Sequence, residues 1–316
     1  MATKISVINF KGGVGKTTLA FHLATFLAKK NKNDKILVVD VDHQSSLSIV
    51  ILGSDLWEES AKQGKTTNRI FESFCNRKVL MPGKDIIVVN PFHLRRPRYD
   101  FYPNLDLVPA QFELDDTEIE MASTTIGGPT VSEWDKRTLL ATWLDLVDAD
   151  KEYKYIVFDC PPATKLVSQN ALAASDYFVI PVIPDEMSSR GVTHFRKLVK
   201  NKIDAKLEYL RQSAGIDDAD KPKSYVPTTK IAGIVPFMAK YAGNAASGLT
   251  DLHTRQIKEL KNQWKGDFVD AVVKHMSGVA ESMNSGWPVW NSSENNATPD
   301  VISMMENMCQ KLEKRL

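Results

Sequence analysis

Gly12, Gly13 and Gly15 stand directly before Lys16 and Thr17 in the stretch NFKGGVGKTT, residues 9–18. Glycines without a Cβ let successive backbone N–H groups turn inward around an oxyanion, so this run can cradle phosphate. Lys16 would bridge the β- and γ-phosphates, and the Thr17 hydroxyl would hold Mg²⁺. The stretch meets the pattern G-x-x-x-x-G-K-[ST] except at its first position, where Phe10 replaces glycine. A second lysine, Lys11, lies inside the loop.

Two further places put carboxylates where such a ligand would need them. The run KILVVDV, residues 35–41, delivers Asp40 and then Asp42 from the end of a buried strand, at the sheet edge where open α/β folds bind ligands. Strand-end aspartates also cap turns, and that reading stays open for both. The run YIVFD delivers Asp159, followed by Cys160, Pro161 and Pro162. No activating histidine pattern accompanies Cys160, so it reads as a buried neighbour. Residues 201–204 spell N-K-x-D, a guanine-reading signature, but charged residues at helical spacing precede them and place the match inside a helix.

The elements that must position these groups follow from periodicity. A short apolar run at 5–10 ends in the glycines, and Leu19, Ala20, Leu23, Leu27 and Ala28 then recur at helical spacing: strand, loop, helix. Further strands are expected at 35–41, 85–89, 105–109, 155–159, 177–182 and 230–236, with helices at 136–147, 166–174 and 190–210. The run at 35–41 is too continuous for a half-exposed strand, as expected where both sheet faces are covered. The alternation predicts an α/β fold: a doubly wound, mostly parallel sheet flanked by helices. One domain over residues 1–316 is expected, with surface insertions at about 54–102, which holds Arg95, Arg96 and Arg98, and at 121–132.

Bulk composition excludes several classes. The 316 residues are 43% hydrophobic with a formal net charge of +1, enough apolar material for a sizeable core and no polycation. Cys75, Cys160 and Cys309 form no C-x-x-C pair, which argues against a disulfide framework or a cysteine-held metal. No apolar run approaches the roughly 18 residues that a membrane span needs, and a cytoplasmic setting is expected.

The order x-K-G-G-x-G-K-[ST] resembles the deviant Walker A loop of the ParA/MinD family of P-loop ATPases, its ParA/Soj-type partition branch in particular. The resemblance implies ATP with Mg²⁺ and a homodimer that sandwiches nucleotide, with Lys11 reaching across to the partner's phosphates. It implies nucleotide contacts from Lys11, Gly12, Gly13, Val14, Gly15, Lys16, Thr17 and Thr18. Lys11, Lys16 and Asp42 become the catalytic set, Asp42 positioning or activating the attacking water. Thr17, Asp40 and Asp159 become the metal set. Adenine is expected near residues 234–238, with Pro236 and Met238 as contacts, and near Pro184, Asp185 and Glu186. The family usually has proline and glycine around Gln44, whereas His43 and Ser45 stand here. The likeness extends over residues 105–110, Glu113, Glu118 to Glu120, and the late stretch 280–289. The first strand begins almost at Met1, so a preceding helix-turn-helix extension, and with it operator-specific repression, is not expected.

Charge distribution bears on partners. From Met187 to Lys265 there are 15 Lys/Arg against 7 Asp/Glu, while residues 106–152 run the other way. A basic face can hold duplex phosphates without reading bases. Arg190, Arg196, Lys197, Lys200, Lys258 and Lys261 are the candidates, with an ordinary solvated face as the alternative. The expected function is ATP-dependent binding of nonspecific DNA that drives plasmid or chromosome segregation or cargo positioning on the nucleoid, reset when a ParB-like partner stimulates hydrolysis. Val301, Met304, Met305, Met308 and Leu312 form an apolar stripe that either packs on the core or anchors a MinD-like protein at a membrane, and acidic Glu306 and Glu313 weigh against the anchor. A weakly hydrolysing ATP-gated scaffold is the remaining alternative.

Overall fold

The computed structural model describes residues 1–97, 101–162, 165–242 and 248–316, with the side chains of 187–189 excepted. Seven strands form one sheet: β1 (Thr3–Val7), β2 (Ile36–Asp40), β3 (Val88–Val89), β4 (Leu105–Val108), β5 (Tyr155–Asp159), β6 (Tyr177–Val182) and β7 (Lys230–Pro236). Their order is β3-β4-β2-β5-β1-β6-β7, parallel throughout except for β3 against β4. The chain fills one side of β1 with β2 to β5, the last inserted next to β1, and then adds β6 and β7 on the other. Its loop after β1 therefore opens into the crevice where connections diverge, the place for a ligand in such sheets.

Strand residues divide by parity between two apolar layers, as a pleated sheet requires. Ile36 and Val38 face one layer with Leu19, Leu23 and Leu27, and Leu37 and Val39 face the other with Leu140, Leu144 and Leu172. The first layer holds α1 (Lys16–Lys30), α2 (Ser46–Leu52), α5 (Pro91–Arg95), α13 (Ser277–Ser285) and α15 (Pro299–Glu313). Against the second lie α4 (Asn68–Cys75), α6 (Leu114–Ser123), α7 (Pro129–Leu146), α9 (Leu166–Ala173), α10 (Glu186–Leu198) and α11 (Ala205–Ser213). Short α3 (Ser54–Lys62), α8 (Ala149–Glu152) and α14 (Ser292–Asn295), with α12 (Asp251–Gln263), complete the periphery. Val301, Met305, Met308 and Leu312 are buried against α1 and β7, so the stripe on α15 is core and not a membrane anchor. Among the described residues no helix is long and apolar enough to cross a membrane.

Several local expectations are corrected. At 85–89 only Val88 and Val89 pair as strand; the chain before them coils as a 3₁₀ turn at Lys84–Ile86, which drives Ile86 into the core while Asp85 meets Arg69 at 2.6 Å. The stretch 54–102 is no polar surface excursion: Trp57, Ile70, Phe71, Phe74 and Phe92 are buried, one to three to each short helix. Arg95 fixes it to distant chain, donating to the carbonyls of Val50 at 3.0 Å, Ser285 at 2.7 Å and Gly286 at 3.3 Å. Arg98 lies outside the described residues. Most of 121–132 is helical, because α6 runs to Ser123 and α7 starts with Pro129 at its first position, a residue suited to helix starts. The helix expected over 190–210 spans α10 to α11 through a π-helical turn at Val199–Asp204, and the N-K-x-D match falls inside that turn.

Candidate functional site

The loop between β1 and α1 is held from both ends. Asn9 donates from Nδ2 to the Pro181 carbonyl of β6 at 2.7 Å and accepts the Lys11 N–H at 3.2 Å. Phe10, in the place of the missing glycine, packs edge-on against Phe195 of α10 with centroids 4.9 Å apart, and lies 5.5 Å from the His194 ring. The substitution therefore converts a flexible position into an anchor. Gly12 and Gly13 are exposed and Val14 is buried, leaving the loop's concave side open. Gly15 turns into the helix at φ 89°, and a Cβ there would sit 2.4 Å from Cδ1 of Phe237. Only glycine serves both demands.

Lys16 heads α1 and is 6% exposed, its Nζ donating to the Lys11 carbonyl at 3.3 Å. Burial lowers its pKa, opposed by the nearby charges of Asp159 and Asp42. Those carboxylates reach it because β2 and β5 end together, with Asp40 and Asp159 as register partners. Asp42 is buried and accepts the Gln44 N–H at 3.0 Å, with His43 Nδ1 at 3.7 Å. Ser45 keeps the left-handed backbone, φ 53° and ψ 22°, that glycine takes without strain, so the turn survives the departure from the family pattern.

The two strand-end aspartates differ in their partners. Asp40 accepts the Asp42 N–H at 3.0 Å on one oxygen, and the Ser48 N–H at 2.9 Å and hydroxyl at 2.6 Å on the other. Burial is the main cause that pushes its carboxyl up to about 7. Both oxygens thus accept from protein donors, and Asp40 brackets the Asp42 turn. Asp159 is the opposite case: fully buried, with neither carboxylate oxygen committed to a backbone or serine donor among the described residues as those of Asp40 are. Burial first, then the charges of Asp40 and Asp42, raise its pKa well above the ordinary range, while the Thr17 hydroxyl and Lys16 act against that. A buried, unpartnered carboxylate beside a threonine hydroxyl fits a divalent cation. Among the described residues no group of three His, Cys, Asp or Glu side chains could hold a metal alone, which suits Mg²⁺ completed by ligand phosphates. Cys160 is fully buried and its thiol is pushed up by burial, so it is inert.

Beside Thr18 opens a cleft of about 260 Å³ lined by Phe237, Met238, Met276, Met283 and Asn284. Met238 belongs to it and holds φ 56°, strain of the kind that gathers at ligand sites. Pro236 does not: it is buried at the end of β7, its carbonyl accepting the Val273 N–H at 2.9 Å. Asp185 instead meets Lys11, Nζ to Oδ2 at 2.7 Å. Phe237 lies within 234–238, where adenine was expected, whereas Met276 and Met283 were not named by sequence reasoning, although Met283 falls in the stretch 280–289 likened to the family's late loop.

Three of the basic candidates are ion-paired. Arg190 pairs with Glu186, Arg196 with Asp267 at 3.3 Å while lying over Trp264, and Lys261 with Asp270 at 3.0 Å. Lys197, Lys200 and Lys258 form no ion pair among the described residues. They ride on α10, its π-helical extension and α12, which touch through Gln263 and Thr193 at 3.2 Å.

Residues 2–211 match the AAA domain family AAA_31. The chain is 32% identical over 288 residues to the chromosome partitioning protein ParA of Myxococcus xanthus, covering 90% of this chain and 80% of that one. It is 30% identical over 200 residues to the sporulation initiation inhibitor protein Soj of Bacillus subtilis, covering 63% of this chain and 66% of Soj. Its fold is shared with a variant of Cyanothece McdA solved with ATP, at TM-score 0.64 and 17% identity, over 99% of this chain and 96% of that one.

Proposed function

The chain belongs to the AAA_31 family and, within it, to the ParA/MinD superfamily of partition and positioning ATPases, and from that premise we propose that it cycles between a free protomer and an ATP-held pair that binds DNA. It is an ATPase whose cofactors are ATP and Mg²⁺. Gly12 to Thr18 take the triphosphate, Lys16 neutralises it, Thr17 and Asp159 hold the ion, and the Phe237–Met283 cleft takes the base. Mg²⁺ in that place supplies positive charge to oxygens that grow more negative during phosphoryl transfer. Asp42, bracketed by Asp40 and its own Gln44 turn, orients the attacking water.

One observation carries the paired state. The Lys11 ammonium is 41% exposed and reaches out of its own loop to Asp185 at 2.7 Å. A cation set there does little for its own phosphates and is free to complete a neighbour's, comparable with an arginine finger. The pair then presents Lys197, Lys200 and Lys258 to duplex phosphates, and a ParB-like partner resets it by stimulating hydrolysis on the nucleoid. The MinD-like membrane alternative loses its support, since its apolar stripe is packed inside the protein.

The test is light scattering on the full chain with ATP and Mg²⁺. Wild type should move from one protomer mass toward two, while Lys11→Ala should bind ATP within about threefold of wild type yet stay at one. An ATP-loaded wild type that remains a single protomer at high concentration refutes the paired state, and a Lys11→Ala variant that pairs normally refutes the role of that amine.

A further inference from the structure

We propose that Glu118, on α6, is a positioning residue for hydrolysis: it caps from outside the first turn of α9, the helix that follows Asp159 in the chain. The first N–H groups of any helix have no partner within it, and a side chain at the N-cap normally takes one of them. Here the N-cap is Lys165, and its side chain caps nothing. The Val167 N–H, second in the helix, instead donates to Glu118 Oε1 at 2.8 Å across 49 residues of sequence, in a buried setting. A carboxylate at this end also gains from the helix dipole.

Glu118 is 7% exposed, and burial raises its pKa against the pull of the Val167 N–H and of Lys165. Its other oxygen lies 4.0 Å from Lys165 Nζ, which also reaches Asp115 at 3.5 Å. One acid thus joins α6 to the helix that follows Asp159. Its own helix is rooted in the site as well. The Ala110 N–H donates to Ser48 Oγ at 2.8 Å, the hydroxyl that brackets Asp40, and Trp57 Nε1 donates to the Ala110 carbonyl at 2.8 Å. Losing the cap frees the first turn of α9 to shift, and a misplacement of about 1 Å in catalytic groups can cost on the order of 100-fold in rate.

The inference rests on the ATPase reading, which wild-type turnover above the enzyme-free rate tests separately. Single-turnover ATP hydrolysis by the full chain, with the ATP concentration and the Mg²⁺ concentration varied, compares four proteins. Glu118→Ala should lower the rate constant roughly 10- to 100-fold and raise the Mg²⁺ needed for half-maximal rate, with ATP affinity within about threefold, because loop and base cleft belong to other elements. Glu118→Gln keeps a carbonyl oxygen for the Val167 N–H and should stay within about threefold of wild type. Glu118→Asp retains charge but withdraws the acceptor by one methylene, and should fall with the alanine variant even if that variant fails to fold. Full activity in Glu118→Asp or Glu118→Ala overturns the proposal, as does a Glu118→Gln that falls as far as Glu118→Asp, or losses that appear wholly as weaker ATP binding.

Discussion

Replacing Gly15 by alanine tests the tightest packing at the loop. The new Cβ meets two separate costs. The backbone is held at φ 89° and ψ 27°, a left-handed conformation that costs an L-residue about 1–2 kcal/mol. The added carbon would also lie 2.4 and 2.6 Å from Cδ1 and Cε1 of Phe237, whose ring is 1% exposed and cannot swing into solvent. Overpacking of that kind costs about 1–3 kcal/mol, giving a sum of about 2–5 kcal/mol. Against a typical total of about 5–15 kcal/mol this is a large fraction, and urea unfolding without nucleotide would read it directly. A double-mutant cycle separates the parts. Phe237→Ala alone should cost about 3–5 kcal/mol, and with Gly15→Ala in the same chain the clash disappears, so the double variant should lose about 1–3 kcal/mol less than the two single losses together. Costs that add to within about 0.5 kcal/mol, or a Gly15→Ala loss under about 1 kcal/mol, would show that the ring does not enforce this glycine.

Phe10→Ala should destabilise by about 1–3 kcal/mol, less than a fully buried ring, because Phe10 holds the loop against Phe195 while half-buried; thermal unfolding within about 0.5 kcal/mol of wild type would dismiss the anchor. Asp40 and Asp159 have raised pKa values, so without metal the folded protein keeps protons that the unfolded chain sheds above about pH 4. That contribution is fully present below the unfolded pKa and lost as pH rises through about 7 for Asp40. The melting temperature of Asp159→Asn minus that of wild type should therefore grow from about pH 4.5 to 8, and a flat difference contradicts the assigned repulsion. Changing Lys197, Lys200 and Lys258 together to Gln should reduce the salt dependence of ATP-dependent DNA binding by roughly 2–3 in the log–log slope for each protomer of the pair, at about 0.9 per phosphate contact; an unchanged slope removes them from the interface.

What was legible in the sequence was whatever chemistry is local. Gly12 to Thr17 and the strand ends at Asp42 and Asp159 could be read because a few adjacent residues fix both backbone shape and side-chain type. The parallel core was legible for a similar reason, since β2 and β5 are continuous apolar runs. The cleft beside Thr18 was not, because Thr18, Met276 and Met283 come to line it only through the fold, more than 250 residues apart along the chain. Asp40 and Asp159 look alike as strand-end acids, and only the position of Ser48 tells the committed carboxylate from the open one. The helices between 54 and 102 were hidden by their brevity: each buries one face through a few residues, as α4 does with Ile70, Phe71 and Phe74, too few to establish a period.

The insertion of β5 between β2 and β1 constrains synthesis on the ribosome. When residue 40 has emerged, the strand that joins β2 to β1 still lies over a hundred codons ahead. At about 5–20 residues per second the nascent chain waits roughly 6–24 s before the floor under its phosphate loop can close. Until then the N-terminal segment has unpaired strand edges and little grip on nucleotide, which makes it a client for chaperones and delays any encounter with ATP until half the protein has been translated.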